Sequence, residues 1–251
     1  MSQFLEVARR VLLLLFGLCV ACWSSLWLPE VWFAAPARDA TSKILIDDRF
    51  RPASLDRALV LLKVRPEYFA QRASVVRAEA LIRLRLAEYS LGKKSSLEGD
   101  QEGAAVIGRL RSSLALNPSD SYLWLTLYSQ EIARQGFDHS ALRLLDESYV
   151  VGPLEGWISL RRNRLALAAF PTMSESMQAK IVSEFASLVD SDFVETAAEN
   201  LLGVGWDQRV QLLASLKDTE MVSRERFARI LAREGANVAV PGVQSDDRWW
   251  R

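Results

Sequence analysis

The pattern of apolar positions separates one continuous apolar run from a long region of helical periodicity. Residues 11–28, VLLLLFGLCVACWSSLWL, contain no charged side chain. As a helix this run would be about 27 Å long, close to the thickness of a bilayer hydrocarbon core. From residue 54 onward, apolar residues instead recur at spacings of three and four, as in Phe69, Ala73 and Val76. The sequence therefore predicts an all-α fold with one N-terminal transmembrane helix.

Polar and helix-breaking residues set the boundaries of the remaining predicted helices. We expect helices at residues 54–65, 67–91, 104–117, 119–135, 138–150, 154–169, 174–189, 192–203, 206–216 and 223–234. The Gly- and Ser-rich stretch 93–103 predicts a loop. Because most connections between these helices are short, successive helices are expected to pack as an array of antiparallel helix pairs.

Charges on either side of the apolar run predict its orientation. Arg9 and Arg10 precede the run, and the next basic residue is Arg38. The positive-inside rule then places the N-terminus in the cytoplasm and the remainder outside. In a bacterial cell this describes a single-pass inner-membrane protein with a periplasmic main domain. Small residues at positions 35–37 leave a cleaved signal peptide as the alternative.

Five segments follow from these patterns. They are a cytoplasmic N-terminus 1–10, a signal-anchor helix 11–28, a proline-containing linker 29–53, a helical domain 54–236 and a C-terminal tail 237–251. Cys19 and Cys22, the two cysteines of the chain, both lie inside the apolar run. The helical domain must therefore be stabilised by packing and not by disulfides.

One unit of the helical region has recognisable residue spacings. Its marker positions are Pro118, Trp124, Leu127, Ala141, Leu145 and Pro153. This arrangement resembles the tetratricopeptide repeat (TPR), with a Trp and a Leu in the first helix, an Ala in the second and a closing Pro. Tyr128 and Glu131 depart from the TPR pattern. The resemblance implies a TPR-like array of helix pairs that binds protein partners, and an inter-helix anchor role for a buried Trp124. A compact irregular helical bundle without a binding groove is the alternative.

Composition argues against most kinds of chemistry. The formal net charge is zero, which disfavours a nucleic-acid partner. His139 is the one histidine, and no catalytic, cofactor-binding or metal-binding motif is present. We therefore expect no catalytic residue, no cofactor and no metal. Two carboxylate pairs, Asp190 with Asp192 and Glu195 with Glu199, leave open an enzyme whose carboxylates converge only in the fold.

Two short segments carry the candidate partner-binding residues. The sequence RRNR supplies Arg161, Arg162 and Arg164, whose guanidinium groups suit carboxylates and phosphates. The C-terminal segment SDDRWWR supplies Trp249 and Trp250, a residue type common at protein interfaces.

The expected function is that of a non-catalytic membrane-anchored scaffold or adaptor in cell-envelope assembly. The overall organisation is similar to that of TPR-like accessory proteins of surface-polysaccharide systems. This resemblance implies a role in the synthesis or export of exopolysaccharide or O-antigen, with envelope proteins as partners. A chaperone-like adaptor for envelope proteins and the enzyme described above are the alternatives.

Overall fold

The computed structural model describes residues 9–10, 12–25, 52–63, 73–90 and 96–244. Within these residues the fold contains helices and no strands, which confirms the predicted all-α class. The chain forms two compact units, residues 1–118 and 119–251, and the boundary between them falls inside the predicted domain 54–236.

The helices of the first unit are α1 (residues 12–25), α2 (Pro52–Lys63), α3 (Ala73–Ser90) and α4 (Ser96–Leu116). Those of the second unit are α5 (Ser121–Gln135), α6 (Leu142–Val151), α7 (Gly156–Ala168), α8 (Glu175–Val189), α9 (Val194–Leu202), α10 (Arg209–Ala214) and α11 (Met221–Arg233).

Helix α1 corrects the membrane prediction. No helix of the described residues is both long and apolar enough to cross a membrane. The predicted inner-membrane localisation with a periplasmic main domain is therefore wrong, and the anchor 11–28 is unsupported. Every described side chain of α1 is nonetheless exposed, including Leu14, Phe16 and Leu18.

Helices α3 and α4 form an antiparallel pair in the first unit. Ser90 Oγ donates to Glu102 Oε2 over 2.9 Å near the turn, and Arg109 Nε lies 3.6 Å from Glu79 Oε1 further along the pair. Five apolar side chains of this pair are fully buried: Ala78, Ala80, Leu81, Ile82 and Leu110. Helix α4 begins at Ser96, so the loop predicted at 93–103 is wrong from that residue onward.

Helices α5 and α6 form the first antiparallel pair of the second unit. Asp120 caps α5 by accepting a hydrogen bond from the backbone N–H of Leu123 over 3.1 Å. Gly136 ends the helix with a φ of 78°, a conformation that favours glycine. Ser121 at the start of α5 exchanges hydrogen bonds with Ser148 near the end of α6, which establishes the antiparallel direction.

Helix α8 lies at the centre of the second unit. It packs against α7, α9, α10 and α11, and buries the side chains of Ile181 and Phe185 completely. The ring of Phe185 meets that of Phe227 on α11 edge to face at 5.9 Å. Helix α7 also packs against α5 on one side and α9 on the other. Helices α5, α7 and α9 therefore lie next to one another in that order.

Part of the predicted C-terminal tail belongs to the second unit. Val240 is buried, and the Arg224 guanidinium donates to the carbonyl oxygen of Pro241 over 2.7 Å. The chain after α11 therefore packs back on that helix through these residues.

Candidate functional site

A buried ion pair between α7 and α8 is the most extensive polar feature of the second unit. Arg162 Nη2 lies 2.6 Å from Glu184 Oε1, and the two residues are 0% and 1% exposed. Arg162 Nε donates to the same oxygen over 2.9 Å. A charged pair withdrawn from water is tolerated only when its remaining polar atoms are also satisfied.

Neighbouring hydroxyl groups satisfy Glu184. Tyr149 at the end of α6 donates to Glu184 Oε2 over 2.6 Å, and Ser159 donates to Oε1 over 2.8 Å. Burial raises the pKa of the Tyr149 hydroxyl well above its usual value, and the Glu184 carboxylate raises this pKa further. Tyr149 therefore stays protonated and acts as a donor.

The remaining nitrogen of Arg162 reaches the α5–α6 pair. Nη1 donates to the carbonyl oxygens of Ser148 and Gly152 over 2.6 and 2.9 Å, and lies 3.2 Å from Ser121 Oγ. A Cβ added to Gly152 would overlap the side chain of Ser121. The absence of a side chain at this position lets α5, α6 and α7 approach closely. We call Ser121, Ser148, Tyr149, Ser159, Arg162 and Glu184 the buried polar cluster.

A second buried polar link joins α7 to α8 and α9. The Asn163 amide donates to the carbonyl oxygen of Ile181 over 3.1 Å and accepts from the Asn200 amide over 3.3 Å. Arg162 and Asn163 thus connect α7 to α5, α6, α8 and α9.

The buried polar cluster corrects one predicted partner-binding residue. Arg162 has no exposed surface, so a partner cannot reach it without unfolding this part of the unit. The two other arginines of RRNR differ from it: Arg161 is half-buried and Arg164 is exposed. Helical geometry explains the separation, because residues one and two positions from Arg162 point toward other sides of α7.

A surface on α5 and α7 brings Arg161 together with two aromatic residues. The Tyr122 and Trp157 rings are 5.0 Å apart and inclined by 40°. Arg161 Nη1 donates to the Tyr122 hydroxyl over 3.1 Å. Tyr122 is 8% exposed whereas Trp157 is 41% exposed. We call Tyr122, Trp157, Arg161 and Arg164 the α5–α7 face.

The residues that carry the TPR resemblance divide into buried and exposed positions. Leu127, Ala141 and Leu145 are buried between α5 and α6 or beside them. Trp124 is only half-buried, and the prolines at 118 and 153 are exposed. Trp124 is less completely buried than Leu127, Ala141 and Leu145, and its expected anchor role stays a prediction. Trp249 and Trp250 lie outside the described residues.

The carboxylates considered for catalysis are used in surface contacts. Glu195 Oε1 accepts from Arg226 over 2.8 Å, which lowers the pKa of Glu195. Asp190 Oδ1 accepts from the backbone N–H of Glu220 over 2.8 Å. His139 is exposed and its ring lies 5.5 Å from that of Phe137. In the part of the chain that the structure describes, no three potential metal ligands come together.

Sequence reasoning missed Glu184, Tyr122 and Trp157. A signal for the buried polar cluster is present, because Arg162 lies four residues from both Ile158 and Ala166 and so falls within the apolar stripe of α7. No pattern in the sequence shows which carboxylate pairs with it, because Glu184 lies 22 residues away on another helix.

Comparison with known proteins identifies no relative: no family model, curated protein or solved structure matches this chain.

Proposed function

We propose that the chain is a non-catalytic scaffold or adaptor that binds a protein partner across the first helices of its TPR-like array. The side-by-side packing of α5, α7 and α9 supports this proposal most directly. Arrays of helix pairs present such a row of helices as an extended surface, which suits an elongated partner better than a small substrate.

The interior of the second unit also supports a binding role. The buried polar cluster is closed to solvent, and its polar groups are used in holding α5, α6, α7 and α8 together. A cluster whose groups are all engaged in this way offers no free nucleophile, acid or base to a substrate. The cluster instead holds in place the helices that carry the proposed binding surface.

The partners expected from the sequence are proteins of cell-envelope assembly, including surface-polysaccharide synthesis or export. This stays a prediction, as does the chaperone-like adaptor. The enzyme alternative needs two carboxylates facing each other across a cleft, and the contacts of Glu195 with Arg226 and of Asp190 with Glu220 do not favour it.

Site-specific photo-cross-linking in cells that naturally produce the chain tests the proposed function. A photoreactive residue is placed at exposed positions of the first helices, Ala133, Ala168 and Glu199, or of the second helices, Arg143, Glu147 and Ser187. We expect discrete protein adducts from the first set, confirmed by capture in the reverse direction with the tagged partner. Adducts from both sets alike, or from neither, would contradict a binding surface on the first helices.

A further inference from the structure

We infer that the α5–α7 face binds an acidic protein segment, with carboxylates on Arg161 and Arg164 and an apolar side chain against Trp157. This inference rests on the proposed function and specifies the chemistry of the partner. Four observations carry it: the exposed indole, the fixed guanidinium, the uncompensated charge and the limited size of the basic surface.

Trp157 provides the apolar contact. Its ring stacks on that of Tyr122, so one side of the indole is packed while 41% of the residue remains exposed. Tyr122 itself is almost fully buried. A large aromatic side chain held in place and partly open to solvent is the kind of residue that contributes most to protein binding.

Arg161 is held in position before a partner arrives. Its Nη1 is fixed by the Tyr122 hydroxyl at 3.1 Å, and its guanidinium carbon lies 6.0 Å from the centre of the Tyr122 ring. The other N–H groups of a guanidinium can still pair with a carboxylate in a planar, two-point arrangement. Because the side chain is already ordered, less conformational entropy is lost on binding.

The charge of α7 selects an acidic partner. The helix sequence GWISLRRNRLALA contains three arginines and no acidic residue. Glu184 neutralises Arg162 inside the unit, whereas no carboxylate of the described residues forms an ion pair with Arg161 or Arg164. Two positive charges at a spacing of three residues therefore face outward beside Trp157.

The small extent of this basic surface favours protein over nucleic acid. Tight binding to a nucleic acid depends on many contacts to successive phosphates. The α5–α7 face offers two arginines, and the chain as a whole has no net charge. A protein segment with two carboxylates and an adjacent apolar side chain matches the α5–α7 face more closely than a nucleic acid does.

Fluorescence anisotropy with a labelled peptide of alternating Glu and Phe tests the inference on the full chain. The comparison probes are the same peptide with Lys in place of Glu and a single-stranded oligonucleotide of similar charge. We expect the acidic peptide to bind in a salt-sensitive manner. Since hydrogen bonds between charged groups contribute about 1.5–3 kcal/mol, Arg164→Glu should weaken it about tenfold or more.

A second exposed Trp–Arg pair in the same unit supplies matched controls. Trp206 is 37% exposed, and the Arg209 guanidinium lies 4.9 Å from the centre of its ring. Trp157→Ala should weaken peptide binding whereas Trp206→Ala should not, and Arg209→Glu is the control for Arg164→Glu. Equal losses for both members of a pair would overturn the assignment to the α5–α7 face.

The outcomes separate this inference from the proposed function. Tighter binding of the oligonucleotide or of the Lys peptide would overturn the acidic-segment inference. Failure of the acidic peptide to bind, with cross-linked adducts still formed from α5, α7 and α9, would overturn it as well but leave the scaffold function standing. Loss of those adducts would remove the scaffold function itself.

Discussion

Arg162 is a charged residue that the fold buries completely, so it contributes nothing to the surface. It sits between Ile158 and Ala166 on the buried side of α7 and pairs with Glu184. Removing one partner of such a pair leaves an uncompensated buried charge, whereas replacing both with apolar residues removes the desolvation penalty as well.

We therefore expect Arg162→Met to lower the free energy of unfolding by about 3–5 kcal/mol. The double variant Arg162→Met/Glu184→Leu should recover most of this loss. Urea denaturation followed by circular dichroism measures both effects. A double variant as unstable as the single one would show that the ion pair stabilises the unit beyond the cost of an unpaired charge.

Tyr149 gives the buried polar cluster a dependence on alkaline pH. Its pKa in the folded state lies above the unfolded value of about 10, so its contribution to stability is fully present below pH 10. This contribution is lost as the pH rises through the folded-state pKa. The free energy of unfolding should therefore fall more steeply above pH 10 in the wild type than in Tyr149→Phe.

Urea denaturation at a series of alkaline pH values makes this comparison. Tyr128, whose pKa burial also raises, is present in both proteins and cancels in the difference. Parallel pH profiles for the two proteins would show that Tyr149 does not titrate as its burial requires.

Substitutions of Leu127 and Trp124 test the expected anchor role of Trp124 in α5. Leu127 is 2% exposed, so Leu127→Ala should cost about 2–5 kcal/mol through lost burial and a residual cavity. Trp124→Ala should cost less, because Trp124 is only half-buried. Thermal unfolding of the two variants shows which substitution costs more stability. A larger loss for Trp124→Ala would support Trp124 as the main anchor of this helix.

At the scale of elements, the sequence predicts helices well where caps and periodicity agree. Asp120 and Gly136 bound α5 within two residues of the predicted range 119–135. The prediction fails at α4 because Gly99 and Gly103 suggested a loop, yet both lie within the helix. Intrinsic propensity is a weak preference that packing against α3 can override.

The meeting point of α5, α6 and α7 is sensitive to the size of residue 152. Gly152→Ala should destabilise the second unit by about 1–3 kcal/mol, because the added Cβ overlaps Ser121. Gly108→Ala is the control, since its Cβ meets open space within helix α4 and should stabilise the first unit by about 0.5–1 kcal/mol. Differential scanning calorimetry measures both, and a neutral Gly152→Ala would contradict the close approach.

Across the whole molecule, the candidate site is less predictable than the fold. Local periodicity predicts the helices, but the pairing of Arg162 with Glu184 and of Tyr122 with Trp157 joins residues far apart in sequence. The RRNR segment shows that α7 is basic without showing which of its arginines is buried. The packing of α7 between α5, α8 and α9 determines which of these arginines is buried.

We expect the exposed apolar surface of α1 to affect the solution behaviour of the whole chain. Its leucines remain in contact with solvent, and surfaces of this kind promote association. Leu14→Glu/Leu18→Glu should reduce both self-association, measured by analytical ultracentrifugation, and the binding of a hydrophobic dye. Unchanged dye binding and sedimentation would show that α1 does not dominate these properties.

The buried polar cluster also has a consequence for the order of folding. The α5–α6 pair can form from contacts within about one helical hairpin, whereas Arg162 bridges Ser121 and Glu184, which lie 41 residues before it and 22 residues after it. Contacts that close longer loops lose more chain entropy before the contact energy can offset that loss. The cluster should therefore form late in folding, after the α5–α6 pair. Its contribution to stability should then mainly lower the unfolding rate.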